Sequence, residues 1–536
     1  MTENEDVSTE LSIVRPDLTG SYDRALPQAR AEILARLLGA LDREPLPGAG
    51  SATGPAHARD GAGRSFSGST ATAPTASGAP GRSATAERTT RVGDVVFPAA
   101  AARPFAAVRA GLTATVAGAA LTDPVALVTA LGWADGFRDE IANSVANLAL
   151  AYADRPAAAT RTLRPGVDLA TVEQLVVDGH PLHPCCRTRT GLGVADVLAY
   201  APEHRPTFRL RKLRVPADQW YGDGPPVLLA HPWQAERLRE RHPWLVPDGE
   251  TGPVRPLMSL RTVDTGAGHV KTAVDIQMTS AVRTVSPAAV HNGPRLSVLL
   301  RELTADLPLD VLAETGAGAV LVDGVADRHL AHLRREAPRT APGQIVLPLA
   351  ALAAPDPYDG RPLLIHAAAA PYAWWHDFMH LLLPPLLTVL DRGVALEAHG
   401  QNTLVVLDRE LRPVRILYRD FGGVRVSARR LAAAGVQVPP LAGDLPSDDP
   451  AVLRTKLAAA VLGTVTGQLV AVLERGGADP AKLWAVTAQA VAAAGTSDGA
   501  RMLTDPLPLK ATTAMRLATD PLDDVWVHLD NPMAAL

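Results

Sequence analysis

Cysteine is nearly missing from this chain of 536 residues: Cys185 and Cys186 are its two cysteines, and they are adjacent. Neighbouring cysteines do not readily meet the geometry of an ordinary intrachain disulfide, so a disulfide-stabilised secreted scaffold is excluded. The chain also shows no apolar signal-like stretch near Met1 and no uninterrupted apolar run of membrane-spanning length. These absences predict a protein of the reducing cytoplasm without a membrane partner.

Lysine is scarce as well, and no basic stripe is visible. The five lysines are Lys212, Lys271, Lys456, Lys482 and Lys510. The formal net charge is -4 at pH 7, which argues against nucleic acid as a partner. Because the compact charge and adjustable pKa of lysine differ from those of arginine, Lys271 and Lys510, which stand inside motifs, attract more interest than the arginines around them.

The length predicts about three subdomains, since a single hydrophobic core rarely extends over so long a chain. Residues 23–42 carry apolar side chains at helical spacing. Over 44–91 the composition changes to Gly, Ala, Ser, Thr and Pro with hardly an aromatic residue, which predicts a disordered linker. Gly48, Gly50 and Gly54 do not make a dinucleotide-binding loop, because no strand precedes them and no amphipathic helix follows.

From residue 92 onwards, predicted strands and helices alternate. The predicted helices cover 123–153, 296–316, 326–336, 371–392, 451–474 and 480–494. The predicted strands include 94–97, 227–230, 270–278, 317–322 and 343–347. This mixture predicts an α+β protein, and the lack of a fixed-period repeat argues against a solenoid or a propeller.

Two polar clusters flank a short apolar stretch that follows residue 402. Glu397–Asn402 contains an acid, an imidazole and two amides, and Tyr418–Gly423 places an Arg-Asp pair beside two glycines. The alternation of a strand would put Glu397, His399 and Gln401 on one face. These residue types together are typical of a phosphate- and metal-handling site built across neighbouring strands.

Two earlier segments are expected to join this site. In the first, His180 and His183 are each followed by a proline that restricts the backbone. The second, Thr279–Thr284, follows an alternating strand and offers hydroxyl and guanidinium donors of the kind that a triphosphate needs. Taken alone, the first segment is also compatible with a turn that bonds its own backbone, and the second is better explained as an ordinary strand end. We predict that the clusters converge in one cleft.

His376 and His380 form a competing constellation, because histidines one helical turn apart can bind zinc. This pair motivates an alternative function, a zinc-dependent hydrolase. The usual glutamate base is replaced by Asp377, however, and the surroundings are apolar and aromatic, so a packed helix is the competing explanation. A third class, an iron-siderophore-binding or reductase-like protein, would need ligands such as a cysteine cluster, which this sequence lacks.

The motifs GHPLHP (179–184), TSAVRT (279–284), EAHGQN (397–402) and YRDFGG (418–423) occur in that order. LPLKATTAMRL (507–517) and a closing NPM (531–533) follow them. In this order the motifs resemble those of the IucA/IucC family, the NRPS-independent siderophore synthetases of the aerobactin-synthetase type. The resemblance covers roughly residues 100 to 536.

The resemblance implies an α+β fold shaped like a cupped hand, with thumb, fingers and palm. The implied division is an N-terminal helical segment 1–43, the linker 44–91, the remainder of the thumb 92–170, the fingers with ATP-binding motifs 171–350, and the palm with catalytic motifs and a C-terminal helical region 351–536.

The resemblance also implies an ATP-dependent, AMP-forming ligase of siderophore biosynthesis. Such an enzyme adenylates a carboxylic acid, here citrate or an acid derived from citrate or succinate, and then joins the acyl group to an amine, a hydroxylamine or an alcohol. ATP and Mg²⁺ are the implied cofactors, the partners are these small molecules, and many members of the family are homodimers. The shared motifs do not tell which acid and which amine are joined.

Residue roles follow from the same resemblance. His399 and Arg283 are the implied catalytic residues. The implied ATP-binding residues are His180, His183, Arg187, Thr279, Ser280, Arg283, Thr284, Arg295, Gln401 and Asn402. The implied acyl-substrate residues are His399, Lys510 and Arg516, and the implied metal ligands are Glu397, Asn402 and Asp420. The family usually has lysine where Arg187 stands, so this position keeps its charge with a different geometry.

Overall fold

The computed structural model of the protein describes residues 3–47, 89–99, 104–106, 112–222, 224–521 and 523–534. Helices and strands are mixed along the chain, which confirms the predicted fold class. The helices are α1 (Glu3–Val14), α2 (Pro16–Arg43), α3 (Pro124–Ala130), α4 (Asp135–Ala153), α5 (Leu169–Glu173), α6 (Val194–Tyr200), α7 (Pro232–Arg241), α8 (Pro287–Thr304), α9 (Leu363–Ala367), α10 (Pro371–Arg392), α11 (Ala428–Ala433), α12 (Pro450–Ala458), α13 (Gly467–Arg475), α14 (Pro480–Ala493), α15 (Ser497–Thr504) and α16 (Thr512–Leu517). A π-helical stretch, Ala459–Thr466, joins α12 to α13.

The strands of the described residues are short. They are β1 (Thr89–Val92), β2 (Val95–Pro98), β3 (Ala114–Val116), β4 (Ala119–Leu121), β5 (Arg189–Thr190), β6 (Arg211–Arg214), β7 (Trp220–Gly222), β8 (Val227–Ala230), β9 (Val246–Glu250), β10 (Arg255–Pro256), β11 (Thr262–Asp264), β12 (His269–Thr272), β13 (Val274–Met278), β14 (Ala281–Arg283), β15 (Leu309–Val311), β16 (Glu314–Val322), β17 (Val325–Arg335), β18 (Ile345–Pro348), β19 (Val394–Ala395), β20 (Thr403–Leu407), β21 (Pro413–Tyr418), β22 (Arg425–Val426), β23 (Leu507–Lys510) and β24 (Trp526–Leu529).

Three of the sheets matter most for the site. One has the strand order β10-β11-β12-β17-β16-β7, a second has β14-β13-β5, and a third has β15-β21-β20-β18. In the third sheet β20 and β21 pair antiparallel with Thr403 opposite Tyr418. Because Glu397–Asn402 precedes β20 and Arg419–Gly423 follows β21, this hairpin brings both polar clusters to the same end of the sheet.

The second sheet places the other two clusters side by side. Strand β13 pairs with β14 on one edge and with β5 on the other, where Met278 lies opposite Arg189. The turn between β13 and β14 therefore lies next to the segment that carries His180 and His183. The described cysteines, Cys185 and Cys186, follow in that segment and are free and buried.

The N-terminal core forms around α2, whose apolar side chains recur at helical spacing and are buried against α4. The predicted helix 23–42 is confirmed and is longer, beginning at Pro16 in the first turn, where proline is favoured. Leu509 and Val527 of the C-terminal hairpin β23–β24 join this same core. The two ends of the chain are thus packed together.

Most of the predicted linker 44–91, including Gly48, Gly50 and Gly54, lies outside the described residues. Its described ends belong to the fold. The buried carboxylate of Glu44 accepts backbone hydrogen bonds from Thr513 (2.8 Å) and Ala514 (2.9 Å) at the start of α16. Strand β1, Thr89–Val92, pairs with β2. The predicted linker boundaries are therefore wrong at both ends, since composition alone did not reveal these contacts.

We expect Glu44→Gln to stabilise the protein at alkaline pH. Burial raises the pKa of Glu44 from 4.5 to about 7, against the opposing effects of Arg43 and the two backbone N–H groups. The folded state therefore holds more protons than the unfolded state between these two values, and stability falls as the pH rises through this window. Glutamine keeps an oxygen acceptor without the charge, so the gain should be on the order of a few kcal/mol above pH 7.

Thermal unfolding at pH 5, 6.5 and 8 measures this effect. The difference between Glu44→Gln and wild type should widen as the pH rises, while Glu44→Ala, which also loses the acceptor, should be less stable than Glu44→Gln at every pH. A difference that is independent of pH would contradict this prediction.

Two helix predictions were wrong. Residues 326–336 form strand β17, which pairs antiparallel with β16 and β12. Helix α8 ends at Thr304 and not at 316, because Leu309–Val311 joins β21 as a parallel neighbour and Glu314 begins β16. The predicted helix 123–153 is divided into α3 and α4. The predicted helices 371–392, 451–474 and 480–494 and the strand 227–230 are confirmed within a residue or two.

Among the described residues, the helix Pro450–Arg475 is long and apolar enough to cross a membrane by length and composition. Of its most apolar window, 83% is buried inside the protein, which is typical of a core helix. The predicted boundaries of thumb, fingers and palm stay predictions.

Candidate active site

A cavity of about 550 Å³ lies where the polar clusters meet. The residues from the sequence-predicted segments that line it are Gly179, His180, Pro181, Arg187, Thr279, Arg283, Glu397, His399, Gly400, Gln401, Asn402, Asp420, Gly422 and Gly423. Residues that are more than 200 positions apart in sequence thus face one space, as the sequence analysis expected. Glu397, His399 and Gln401 follow a short strand as an irregular segment and a turn, so the strand alternation invoked for them was wrong although all three line the cavity.

Two non-glycine residues of the cavity wall have a left-handed backbone conformation, which is uncommon outside glycine. Thr279, in the turn between β13 and β14, has φ 60°, and Asp420 has φ 73°. A β-branched residue such as threonine rarely adopts this conformation, and backbone strain of this kind clusters at functional sites. The backbone N–H of Thr279 donates to the carbonyl of Thr188 (3.3 Å), which joins this turn to the neighbouring segment.

Three histidines share one local geometry: in each, Nδ1 accepts a hydrogen bond from the backbone N–H two residues later. The pairs are His180 with Leu182 (3.3 Å), His183 with Cys185 (3.0 Å), and His399 with Gln401 (3.2 Å). Because Nδ1 is an acceptor, the proton of each neutral ring lies on Nε2. Burial lowers the pKa of all three, that of His180 to about 3. These rings are therefore neutral N–H donors at physiological pH.

His183 uses its donor inside the protein. Its Nε2–H donates to Ser280 Oγ (2.6 Å), and neither side chain lines the cavity. Ser280 also accepts a hydrogen bond at its carbonyl from Arg516 (3.0 Å). In this structure these hydrogen bonds hold the turn at Thr279 on the side that faces away from the cavity. His180 and His399, by contrast, line the cavity.

Arg261 and Arg283 are cations of the cavity wall. No carboxylate among the described residues lies within ion-pair distance of either guanidinium group. Nε of Arg283 donates to the carbonyl of Met278 (3.1 Å), and Nη1 of Arg261 donates to that of Thr284 (2.6 Å). Burial lowers the pKa of both guanidinium groups, that of Arg261 to about 9, which is still above neutral pH. The cavity therefore contains two charged arginines that can bind an anion.

Arg187 and Arg189 differ from this pair, because a buried carboxylate neutralises them. Glu203 lies 3.4 Å from Nη1 of Arg187 and 2.5 Å from Nη1 of Arg189. Arg187 also donates to the carbonyls of Val176 and Val177. Arg187 lines the cavity, but all its guanidinium nitrogens already donate to the protein, which gives no support to the predicted ATP contact through this group.

Four charged side chains form a network that reaches the cavity through Lys271 and Asp420. Asp420 accepts from Lys271 (2.6 Å) and lies 3.3 Å from Arg335, which in turn bonds Glu314 (3.2 Å). Burial acts to raise the pKa of Asp420, but Lys271 and Arg335 hold it well below its usual range. Burial also lowers the pKa of Lys271, although Asp420 opposes this shift. Asp420 is therefore an anion fixed at the edge of the cavity.

The carboxylate of Glu397 is the second anion of the cavity. Burial acts to raise its pKa, but Lys456, at 2.7 Å, contributes to a net lowering. A Cβ atom at position 423 would collide with the Glu397 carboxylate, so only glycine allows this carboxylate to lie against the Tyr418–Gly423 cluster. The buried Arg419 also joins the two clusters, because it donates to the carbonyl of Gln401 (3.0 Å) and to Glu173 (2.7 Å).

The predicted metal ligands Glu397, Asn402 and Asp420 all line the cavity. Among the described residues, no group of three or more His, Cys, Asp or Glu side chains could hold a metal ion by itself. Mg²⁺ commonly takes one or two carboxylates and completes its shell with water and substrate phosphates. The two carboxylates and the one amide present here fit that pattern. Their role as Mg²⁺ ligands stays a prediction.

Besides His183 and Ser280, four further residues named by resemblance do not line the cavity in this structure. Thr284 accepts from Arg328 through its hydroxyl (2.6 Å), and Arg295 is exposed on α8. Lys510 pairs with Asp524 (2.7 Å), and Arg516 forms an ion pair with Glu140. Motif strings place a residue in a neighbourhood, but they do not fix which way its side chain points.

The sequence analysis missed several residues that line the cavity. Arg261, Thr464 and Gln468 belong to no predicted motif, and Lys271 was singled out without a role. Scarcity of lysine was a usable signal for Lys271. Nothing local in the sequence distinguishes Arg261 from the many other arginines.

His376 and His380 lie on the exposed side of α10 with their rings stacked 4.2 Å apart. Nδ1 of His380 donates to the carbonyl of His376 (2.9 Å), while Trp375 and Phe378 of the same helix are buried. This arrangement is a packed amphipathic helix and gives no support to a zinc-dependent hydrolase.

Family sequence models match two long parts of the chain. The model described as IucA / IucC family matches residues 168–225 and 222–354. Over these residues the chain is similar to the IucA/IucC family. A second model, described as Ferric iron reductase FhuF-like transporter, matches residues 372–520. The sequence analysis expected a reductase-like protein to need ligands such as a cysteine cluster, and residues 372–520 contain no cysteine.

Two curated relatives come from Staphylococcus aureus (strain NCTC 8325 / PS 47). Staphyloferrin A synthase is 28% identical over 322 residues, which cover 49% of this chain and 54% of that protein. D-ornithine–citrate ligase is 22% identical over 385 residues, which cover 55% of this chain and 57% of that protein. The chain thus spans little more than half the length of these relatives.

Solved structures show the same fold over most of the chain. The petrobactin biosynthesis protein AsbB of Bacillus anthracis str. Sterne matches with a TM-score of 0.75 and 16% identity, covering 97% of this chain and 98% of that one. ATP-bound aerobactin synthetase IucA of Klebsiella pneumoniae matches with a TM-score of 0.69 and 22% identity, covering 82% and 92%. The predicted siderophore-synthetase fold is confirmed.

Proposed function

We propose that the protein is an ATP-dependent siderophore synthetase. It adenylates a carboxylic acid, citrate or an acid derived from citrate or succinate, and joins the acyl group to an amine, a hydroxylamine or an alcohol. The observation that carries this proposal is one cavity in which the unneutralised Arg261 and Arg283 face the carboxylates Glu397 and Asp420. Relatives named for citrate ligation and a similar fold that binds ATP support it.

ATP fits this cavity by chemical type. Arg261 and Arg283 would bind the phosphates, with the N–H donors of His180 and His399 close by. Val176, Met258, Leu260 and Ala350 give the same cavity an apolar surface that suits an adenine ring. Mg²⁺ bound by Glu397, Asn402 and Asp420 would neutralise the part of the phosphate charge that the two arginines do not.

The proposed reaction has two steps. A carboxylate oxygen of the acid bonds to the α-phosphorus of ATP while the bond to pyrophosphate breaks. The amine nitrogen then bonds to the acyl carbon, the bond to AMP breaks, and the amine loses a proton. Arg261 and Arg283 counter the charge that develops on phosphate oxygens, and His399 donates its Nε2–H to an oxygen of the reacting carboxylate. Fixed donors of this kind act mainly through electrostatic stabilisation.

We expect AMP and pyrophosphate as products, formed only when an acid is present. The experiment supplies ATP with citrate, succinate or α-ketoglutarate and identifies the nucleotide and phosphate products by chromatography. Hydroxylamine, a simple nucleophile, should trap the activated acid as a hydroxamate. ADP and orthophosphate as primary products would show an acyl-phosphate mechanism, and product formation without acid would show a nucleotide hydrolase.

The remaining attributes follow from this function. The proposed partners are the small-molecule acid and amine, and the proposed location is the cytoplasm, where ATP is available. The division into thumb 92–170, fingers 171–350 and palm 351–536 is retained as a proposal, as is a homodimer.

A further inference from the structure

One wall of the cavity is a helix surface to which no role has been given. Thr464, in the π-helical stretch Ala459–Thr466, and Gln468, in the first turn of α13, both line the cavity. They are four residues apart and therefore lie on neighbouring turns of one helix face. π-Helical turns are rare and occur frequently at functional sites. This wall belongs to neither polar cluster nor to the turn at Thr279.

Close packing holds this helix against its neighbours. A Cβ atom at position 463 would lie 2.8 Å from the carbonyl oxygen of Pro508, and one at 467 would lie 2.5 Å from Cβ of Phe105. Both positions are glycine, so the helix backbone approaches β23 and Phe105 more closely than other residues would allow. The packing fixes the helix and, with it, the position of the polar face that it presents to the cavity.

The two side chains offer complementary hydrogen-bonding groups. Thr464 donates its hydroxyl proton to the carbonyl of Ala459 (2.9 Å), which leaves its oxygen as an acceptor. Gln468 makes no side-chain hydrogen bond within the described part of the chain and is half-buried. Its amide provides two N–H donors and one acceptor. Together they can bind a hydroxyl group, and the N–H donors of Gln468 can bind a carboxylate, without adding charge.

The position of the helix points to the acid and not to the nucleotide. The same helix carries Lys456, whose ammonium group pairs with Glu397 (2.7 Å), two residues before His399. The apolar surface suited to adenine and the phosphate-binding Arg283 come from other elements. A ligand carboxylate that reaches His399 would therefore have its remaining groups beside this wall.

We propose that Thr464 and Gln468 recognise the part of the acyl substrate that does not react, and that they select an acid with a hydroxyl group or a further carboxylate. This inference rests on the proposed function. An acid with an apolar chain would leave the amide of Gln468 and the acceptor oxygen of Thr464 without a ligand partner in a half-buried site, and unpaired polar groups of this kind cost binding energy. Sites that hydrogen-bond a substrate group discriminate strongly against analogues that lack it.

The test measures acid-dependent exchange of labelled pyrophosphate into ATP with citrate, with tricarballylate, which lacks its hydroxyl, and with succinate. For wild type we expect a preference for the best hydroxy or tricarboxylic acid over succinate. Gln468→Leu should reduce that preference by about tenfold or more, Thr464→Val should reduce it less, and the KM for ATP should change by less than about twofold because phosphate contacts are intact. Gln468→Glu, which is isosteric and adds a negative charge, should weaken the binding of the tricarboxylic acid more than that of the other acids.

Thr466→Val is the matched control. Thr466 lies in the same π-helical stretch and makes the same kind of bond, to the carbonyl of Val461 (2.8 Å), but it is fully buried and does not line the cavity. This variant should lower the thermal midpoint without altering acid preference. An equal loss of preference in Thr466→Val, or a raised KM for ATP with unchanged preference in Gln468→Leu, would overturn the inference. Wild-type protein without exchange activity on any acid would overturn the proposed function itself and the inference with it.

Discussion

Replacing Arg283 with alanine is expected to lower kcat/KM for ATP by about a hundredfold or more, because removal of one fixed group that stabilises developing charge typically has this effect. The guanidinium group of Arg283 faces the cavity, makes a single bond to the carbonyl of Met278, and has no carboxylate partner among the described residues. Its charge is therefore available to a ligand. Steady-state kinetics with ATP varied at saturating acid measure the effect.

Arg295→Ala is the matched control for this change. Arg295 was assigned to ATP by the same resemblance, but it is exposed on α8 and donates to its own helix at the carbonyl of His291 (2.5 Å). Its replacement should leave kcat/KM within about twofold of wild type, as expected for a surface position. Equal losses in the two variants would show that the phosphates lie elsewhere.

Arg187→Ala should act differently from both. It leaves Glu203 with one fewer cation in a buried position and removes the bonds to Val176 and Val177. Breaking a buried charge pair is strongly destabilising. The loss should therefore be visible as a lower thermal midpoint, with kinetics that are altered less than in Arg283→Ala.

The parts of the fold that local pattern decides were predictable from the sequence. Helix α10 and the helix from Pro450 to Arg475 carry long apolar faces that are buried on several sides, so periodicity alone located them. Strand β17 was not predictable in this way. Its alanine, leucine and arginine content favours a helix, but its backbone pairs with both β12 and β16. Such long-range pairing overrides local propensity, and a single sequence does not show it.

The candidate site was predictable to the level of segments but not of side-chain directions. The turns at Thr279, His399 and Asp420 meet in one cavity as expected. Ser280 and His183, however, bond each other behind the wall. The direction of a side chain at such a position depends on neighbours that are distant in sequence. Arg261 was missed for the same reason, since only the pairing of β11 with β12 brings its segment beside Lys271.

His399→Asn and His399→Ala are both expected to lower turnover by about a hundredfold or more, because each removes the Nε2–H donor that faces the cavity. The two variants should differ in their effect on the loop that carries residue 399. Asparagine can accept the backbone N–H of Gln401 through its side-chain oxygen, as Nδ1 of His399 does at 3.2 Å. His399→Asn should therefore retain the wild-type thermal midpoint and ATP affinity, whereas His399→Ala should also lose some stability. Turnover, nucleotide affinity and thermal unfolding are measured on one preparation of each variant.

The pH dependence of wild type separates a neutral donor from an acid–base catalyst. Burial lowers the pKa of His399 below its usual 6.5, although Glu397 and Asp420 oppose this shift. The ring is then neutral above that lowered pKa, and Nδ1 stays occupied by the N–H of Gln401. No ionisation of His399 should appear in the kcat profile near pH 6.5, and the profile of His399→Asn should have the shape of the wild-type profile at a lower level. A limb near pH 6.5 that is lost in His399→Asn would instead show that the imidazole takes or gives a proton during the reaction. Full activity in His399→Asn with a lower thermal midpoint would make His399 a structural residue of the loop.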